Sequence, residues 1–163
     1  MTFRLWVNGF MYCLASMSSV GSLQRPVWTG RPSEERDVIR ILVADDNPTA
    51  RRFLRGVLEQ QEGWQVSDEA RNGQEAVERF RKNRHDLVVV DFQMPEMNGL
   101  DAARVISGIS PGTPILMVTL HLSKQLSEEA RKAGIRGACA KTDIGSFVDG
   151  VGALLRDETY FPP

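Results

Sequence analysis

Cysteine is scarce in this 163-residue chain: Cys13 and Cys139 are the only two, far apart and without metal-ligand spacing. That argues against a disulfide-stapled scaffold or a cysteine-built zinc module, and it fits a reducing cytoplasm. A dominant charge of one sign is missing as well. Twenty Lys and Arg against 21 Asp and Glu leave a net charge of −1, so no overall field recruits nucleic acid or an anionic membrane. Long apolar runs are also missing. Leu5 to Val20 is moderately apolar, but Asn8, Gly9, Ser16, Ser18 and Ser19 dilute it. It is too short to span a bilayer, and no A-x-A cleavage site follows. Neither secretion nor membrane insertion is expected. Charge is sparse near the start, where Arg4, Arg25 and Arg31 stand alone before Glu34, and Pro26 and Pro32 interrupt any long element. Residues 1–37 therefore read as a tail, whether a disordered leader, a misassigned start or a short interfacial helix. Residues 38–161 read as one domain, and a 42% apolar share is enough for a core.

What is present is organised around Leu87 to Gly99, L-V-V-V-D-F-Q-M-P-E-M-N-G. Leu and Val without alternation indicate a parallel strand covered on both faces. Asp91 falls at its carboxyl end, the edge of an open α/β sheet where ligands bind. Pro95 and the Asn98-Gly99 pair turn the following residues into a shaped loop. By itself Asp91 reads equally well as a helix cap or turn opener.

The rest of the domain repeats the alternation of strand and helix. Ile39 to Ala44 is a second buried strand, ending in Asp45-Asp46. Asn47 can cap and Pro48 can open a helix to Gln60, with Phe53, Leu54, Val57 and Leu58 on one side. Trp64 to Ala70 is a more polar strand suited to a sheet edge. Asn72 with Glu75 resembles a capping box and starts a helix to about Lys82, with Ala76, Val77 and Phe80 inward. After the central stretch, Leu100, Ala103, Ile106 and Ile109 mark a helix stopped by Ser110-Pro111-Gly112. Pro114 to Thr119 is a strand. Leu122, Leu126, Ala130 and Ala133 mark a helix closed by a left-handed Gly134. Gly137 to Ala140 is a short strand ending at Lys141. Thr142 can cap a last helix carrying Ile144, Phe147, Val148, Val151, Leu154 and Leu155.

Five strands alternating with five helices imply a doubly wound parallel sheet with right-handed crossovers. The first, third and fourth strands are the most apolar and belong inside, which gives the order 2-1-3-4-5. The topological switch point then falls between the first and third strands, whose ends carry Asp45, Asp46 and Asp91. Carboxylates gathered there repel unless a cation is shared among them. Magnesium suits best, because it takes one or two carboxylates and leaves positions for phosphate oxygens. The hydroxyl of Thr119 and the ammonium of Lys141, also at strand ends, complete a site for a phosphoryl group. Aspartate can act as nucleophile in phosphoryl transfer, forming an acyl phosphate. Each residue has an ordinary role open to it: a helix N-terminus for the acids, a strand position for Thr119, a solvated surface for Lys141. Their joint placement at separate strand ends favours the functional reading.

A-D-D-N-P, then D-F-Q-M-P-E-M-N-G, then V-T, then the Lys of C-A-K-T-D resembles the receiver domain of two-component response regulators over about Ile39 to Phe161. The resemblance implies a flavodoxin-like, CheY-like fold and makes Asp91 the phosphoacceptor. It implies that Asp45, Asp46 and the backbone carbonyl of Gln93 join Asp91 in binding Mg2+. It assigns the phosphoryl group to Thr119 and Lys141, and the donor to a histidine kinase or phosphotransfer protein. Gln93 and His121 would border the path of the hydrolytic water and tune dephosphorylation. The closing A-L-L-R-D-E-T-Y-F-P is similar to receivers that precede a LuxR-type helix-turn-helix, which is missing here. A stand-alone receiver or truncated regulator is expected, working on a downstream protein rather than on DNA, with room for a homodimer. One position departs from the family: three residues before the lysine a switch aromatic is usual, and this chain has Ala138. Leu120 also follows Thr119 where a small residue is usual. The competing reading is an aspartate-nucleophile, Mg2+-dependent phosphohydrolase, which typically needs a second Asp where Gln93 stands. A flavodoxin-like cofactor binder fails for want of a phosphate loop after the first strand.

Overall fold

The computed structural model describes residues 38–161, so the expectations for residues 1–37 lie outside the described residues. The elements in chain order are β1 (Ile39–Ala44), α1 (Pro48–Glu59), β2 (Trp64–Ala70), α2 (Gly73–Lys82), β3 (Leu87–Asp91), α3 (Gly99–Ile109), β4 (Ile115–Thr119), α4 (Lys124–Lys132), β5 (Gly137–Ala140) and α5 (Ile144–Leu155). The strands form one parallel sheet in the order β2-β1-β3-β4-β5. The most apolar strands are central, because only they are covered on both faces.

Alternation along each strand divides the core in two. Leu42, Ala44, Val88, Val90, Ile115, Met117 and Ala138 face α2, α3 and α4. Ile41, Val43, Leu87, Val89, Leu116, Val118 and Cys139 face α1 and α5. All of these are fully buried. Beyond α5, Tyr160 pairs with the outer edge of β5: its amide donates to the Arg136 carbonyl, and its own carbonyl accepts from the Ala138 amide at 2.8 Å. An edge strand of four residues is thereby partly covered.

Local signals hold at most helix ends. The Asn47 side chain accepts from the amides of Thr49 and Ala50 with Pro48 in the first turn. Asn72 accepts from the Glu75 amide, but the Glu75 carboxylate reaches back to the Arg71 amide, one residue earlier than in a capping box. Gly134, at φ +85°, takes the left-handed conformation that closes α4. The cap of α5 is a correction. Asp143, not Thr142, serves, accepting from the Ser146 amide at 2.9 Å and its hydroxyl at 2.7 Å. Phe53, Ile109 and Ile144, read as apolar-face residues, are exposed. Each keeps 44–48% of its surface in solvent, so about half of each side chain is covered and the apolar face is wider than the fully buried stripe.

Candidate functional site

The carboxyl ends of β1, β3, β4 and β5 deliver the candidate residues to one cleft. Register does this: Ala44 pairs with Val90, Asp91 with Val118, and Thr119 with Ala140, so the residues that end the strands lie side by side. The α3 N-terminus then packs hard against the end of β3. Asn98 caps it through the Asp101 amide, and a Cβ on Gly99 would collide with the Asp91 carbonyl and with Val90. Glycine is required by that approach. The intervening loop is pinned as well. Glu96 takes a positive φ of 65°, its carboxylate accepts from the Asn72 side chain at 3.1 Å, and the Met97 carbonyl accepts from the Gly73 amide at 3.0 Å. A non-glycine residue held left-handed beside a site marks a loop whose shape is imposed by its surroundings.

Within the cleft, Lys141 Nζ lies 2.6 Å from Asp45 Oδ2 and 2.8 Å from Asp91 Oδ2. Asp45 is fully buried and Asp91 nearly so, whereas Asp46 is exposed. Asp45 Oδ1 accepts from the Asn47 amide at 2.9 Å, and Asp91 Oδ1 from the Gln93 amide at 3.3 Å. Burial pushes the Asp91 carboxyl above its ordinary value, and Asp45 adds to that. The Lys141 hydrogen bond and charge only partly oppose it. Burial alone would lower Lys141, but its close contacts with the carboxylates of Asp45 and Asp91 and their charges outweigh this and raise it. One ammonium thus serves two buried carboxylates, with a third at the rim.

The residues present fit a divalent cation. Asp45, Asp46 and Asp91 each offer an oxygen, and these oxygens lie within 4.8 Å of one another. Asp45 Oδ2 is buried and receives no hydrogen bond in good geometry; its contact with Lys141 is a close ion pair rather than an aligned bond. An oxygen-only donor set with one carboxylate open to solvent suits magnesium, which keeps part of its water shell.

Thr119 is buried, with its Oγ1 3.4 Å from both the amide and the carbonyl oxygen of His121, while Gln93 and His121 are exposed at the rim. Ala138 is fully buried among the apolar residues facing α4. Phe161 packs against the same cluster, under the Arg131 guanidinium 3.7 Å from its ring centroid. One contributor was missed in the sequence. Arg51 Nη1 donates to the Asp45 carbonyl at 2.7 Å. Its place one turn into the helix after the acidic pair was the available signal.

A doubly wound sheet with acids, a hydroxyl and a lysine at its switch point defines a class of phosphoryl-handling α/β domains. The chain belongs to the response regulator receiver domain family, which matches residues 41–147. It is 36% identical over 102 residues to the chemotaxis protein CheY of Thermotoga maritima, covering 63% of this chain and 84% of that protein. It is 31% identical over 127 residues to the uncharacterized transcriptional regulatory protein YxjL of Bacillus subtilis, covering 77% of this chain and 58% of that one. Among solved structures, a LuxR-family two-component response regulator from Aurantimonas sp. SI85-9A1 superimposes with a TM-score of 0.73 at 30% identity, covering 76% of this chain and 89% of the other. The family membership decides for the receiver over the phosphohydrolase. Receiver domains are generally not enzymes in their own right, bind Mg2+ at an acidic pocket, and interact with histidine kinases and phosphotransfer proteins. Among the described residues, no helix is long and apolar enough to cross a membrane.

Proposed function

We propose that this chain is a cytoplasmic phosphoacceptor whose Asp91 takes a phosphoryl group from a histidine kinase or phosphotransfer protein. The observation that carries the reading is Lys141 shared between Asp45 and Asp91, a cation placed where a phosphoryl group on Asp91 would need one. An Asp91 carboxylate oxygen attacks the phosphorus of a phosphohistidine. The phosphorus–nitrogen bond breaks, an acyl phosphate forms, and the imidazole leaves with the electron pair and picks up a proton. Burial makes Asp91 a more basic carboxylate, hence a better nucleophile, and Lys141 helps keep it ionised. Asp45, Asp46, Asp91 and the Gln93 backbone carbonyl would hold Mg2+, which when bound offsets charge on the transferred phosphoryl oxygens. Thr119 and Lys141 receive those oxygens.

Gln93 and His121, both exposed, set the acyl-phosphate lifetime by ordering the attacking water. With Ala138 in place of a ring, the contact energy separating active from inactive states is small. The domain works through a protein partner, as a monomer or homodimer, rather than by contacting DNA. Acetyl phosphate with Mg2+ should add one phosphate to the intact mass, and Asp91→Ala should abolish the addition. Labelling of that variant at the parental rate would reject the assignment.

A further inference from the structure

Glu69 lies on a face of the sheet that plain alternation would deny it. Val66 faces the α1 and α5 side, packed with Leu54 and Leu58, so three residues later an uninterrupted strand would turn Glu69 toward α2. The β1–β2 register shifts between Ile41 and Leu42, whose partners are Val66 and Asp68, leaving Ser67 as an extra residue. Such a bulge reverses which face every later side chain occupies. Asp68 now faces α2, and Glu69 faces α1.

On α1, Arg51 and Arg55 are one turn apart and both meet Glu69. Arg55 Nη1 lies 2.9 Å from Glu69 Oε1, and Arg55 Nε pairs with Glu59 at 3.0 Å. Arg51 Nε faces Glu69 Oε2 at 3.4 Å, in an ion pair rather than an aligned hydrogen bond. The far side of the Arg51 guanidinium points at the acidic turn. Nη1 is 2.7 Å from the carbonyl oxygen of Asp45 and 3.3 Å from that of Asp46. The side chain is only 13% exposed. Tying two consecutive carbonyls to one rigid fork fixes the peptide planes on both sides of Asp46, and with them the direction in which its exposed carboxylate leaves the backbone.

We infer that Arg51, clamped by Glu69, is a positioning residue that presets Asp45 and Asp46 for a divalent cation. This rests on the reading of the site given above. The role is one of geometry against charge. A guanidinium close to the acids weakens cation binding electrostatically, so removing it should tighten binding if charge were all that mattered. Positioning demands the opposite sign.

Magnesium titration of the full chain by calorimetry, alongside metal-free thermal melts, separates the two. Arg51→Ala should weaken Mg2+ binding about tenfold or more, as losing a residue that orients metal ligands typically does. Arg51→Lys, which keeps the charge and can still donate to one carbonyl, should recover part of the loss. Glu69→Gln, which frees the fork but keeps Arg51, should weaken binding less than Arg51→Ala. In acetyl phosphate labelling, Arg51→Ala should need more Mg2+ for half-maximal rate, with the rate at saturating Mg2+ retained. A folded Arg51→Ala protein that binds Mg2+ as tightly as the parent, or tighter, overturns the inference, even if it melts lower. Should Arg51→Ala fail to fold, unchanged Mg2+ affinity in Glu69→Gln overturns it. A parent chain that neither binds Mg2+ nor takes a phosphoryl group overturns the reading of the site instead.

Discussion

Two charged clusters are buried against this one sheet, and they differ in balance. In the cleft, Asp45 and Asp91 share the single ammonium of Lys141, with Asp46 at the rim. Beside α2, the lone carboxylate of Asp68 is surrounded by donors. The side chain of Asn83 donates to Oδ2 at 2.9 Å, His85 Nε2 lies 2.9 Å from the same oxygen, and Arg79 approaches Oδ1 at 3.6 Å. The His85 side chain is entirely buried and its ring stacks on Phe80. Both clusters cost desolvation. The donors around Asp68 recover it as structure, although His85 Nδ1 is left buried without a partner, whereas the cleft is left short of positive charge, and that shortfall is what a divalent cation can fill.

The largest expected effect tests whether chemistry follows the imbalance. Asp91→Asn should eliminate acetyl phosphate labelling, whereas Asp68→Asn should leave its rate intact; equal losses in intact-mass assays would erase the distinction. Next, Lys141→Ala strands two facing buried carboxylates. It should cost about 3–5 kcal/mol in the metal-free protein, the usual penalty for breaking a buried pair. Chemical denaturation would measure it, and added Mg2+ should restore more stability to this variant than to the parent. Asp68→Ala should cost less, about 1–3 kcal/mol for donors left without their acceptor. Mg2+ should not return that loss, because the affected groups lie outside the acidic cleft.

The smallest effect concerns pH. Asp91 titrates above its ordinary value of 3.8. The folded protein therefore binds its proton more tightly than the unfolded chain does. Its contribution to stability is present below the unfolded value and is lost as pH rises through the folded one. Metal-free Asp91→Asn should accordingly gain on the parent in melting temperature as pH rises through that window, and the gap should close in acid. Lys141, raised above 10.5, supports the fold up to that value and loses its contribution as pH climbs past the folded one.

The sequence exposed the cleft better than the second cluster. Asp45, Asp46, Asp91, Thr119 and Lys141 each follow an apolar run, and a run's end is visible in one dimension. The Asp68 cluster could not be read that way. Its orientation, like that of Glu69, depends on a bulge at Ser67, and nothing in W-Q-V-S-D-E-A marks which residue of a polar edge strand will be left unpaired. Arg51 was hidden for a related reason. On a helix surface it resembles Arg52, and only the packing of α1 over β2 gives one of them two carbonyls and a carboxylate to hold. The α5 cap misled by one position, since Thr142 and Asp143 both suit a cap. The backbone placed Asp143 within reach of the Ser146 amide.

Sequence alone therefore determined the alternation of strands and helices, the central place of the three most apolar strands, and the chemistry standing at their ends. These follow from local periodicity and from the need to cover both faces of a parallel strand. Tertiary structure decided the 2.6 and 2.8 Å contacts of Lys141, the reversal after Ser67, and the exposure of Phe53, Ile109 and Ile144. Contacts between residues dozens of positions apart depend on strand register and on which helix covers which edge. Those quantities are set only when the whole sheet closes its core.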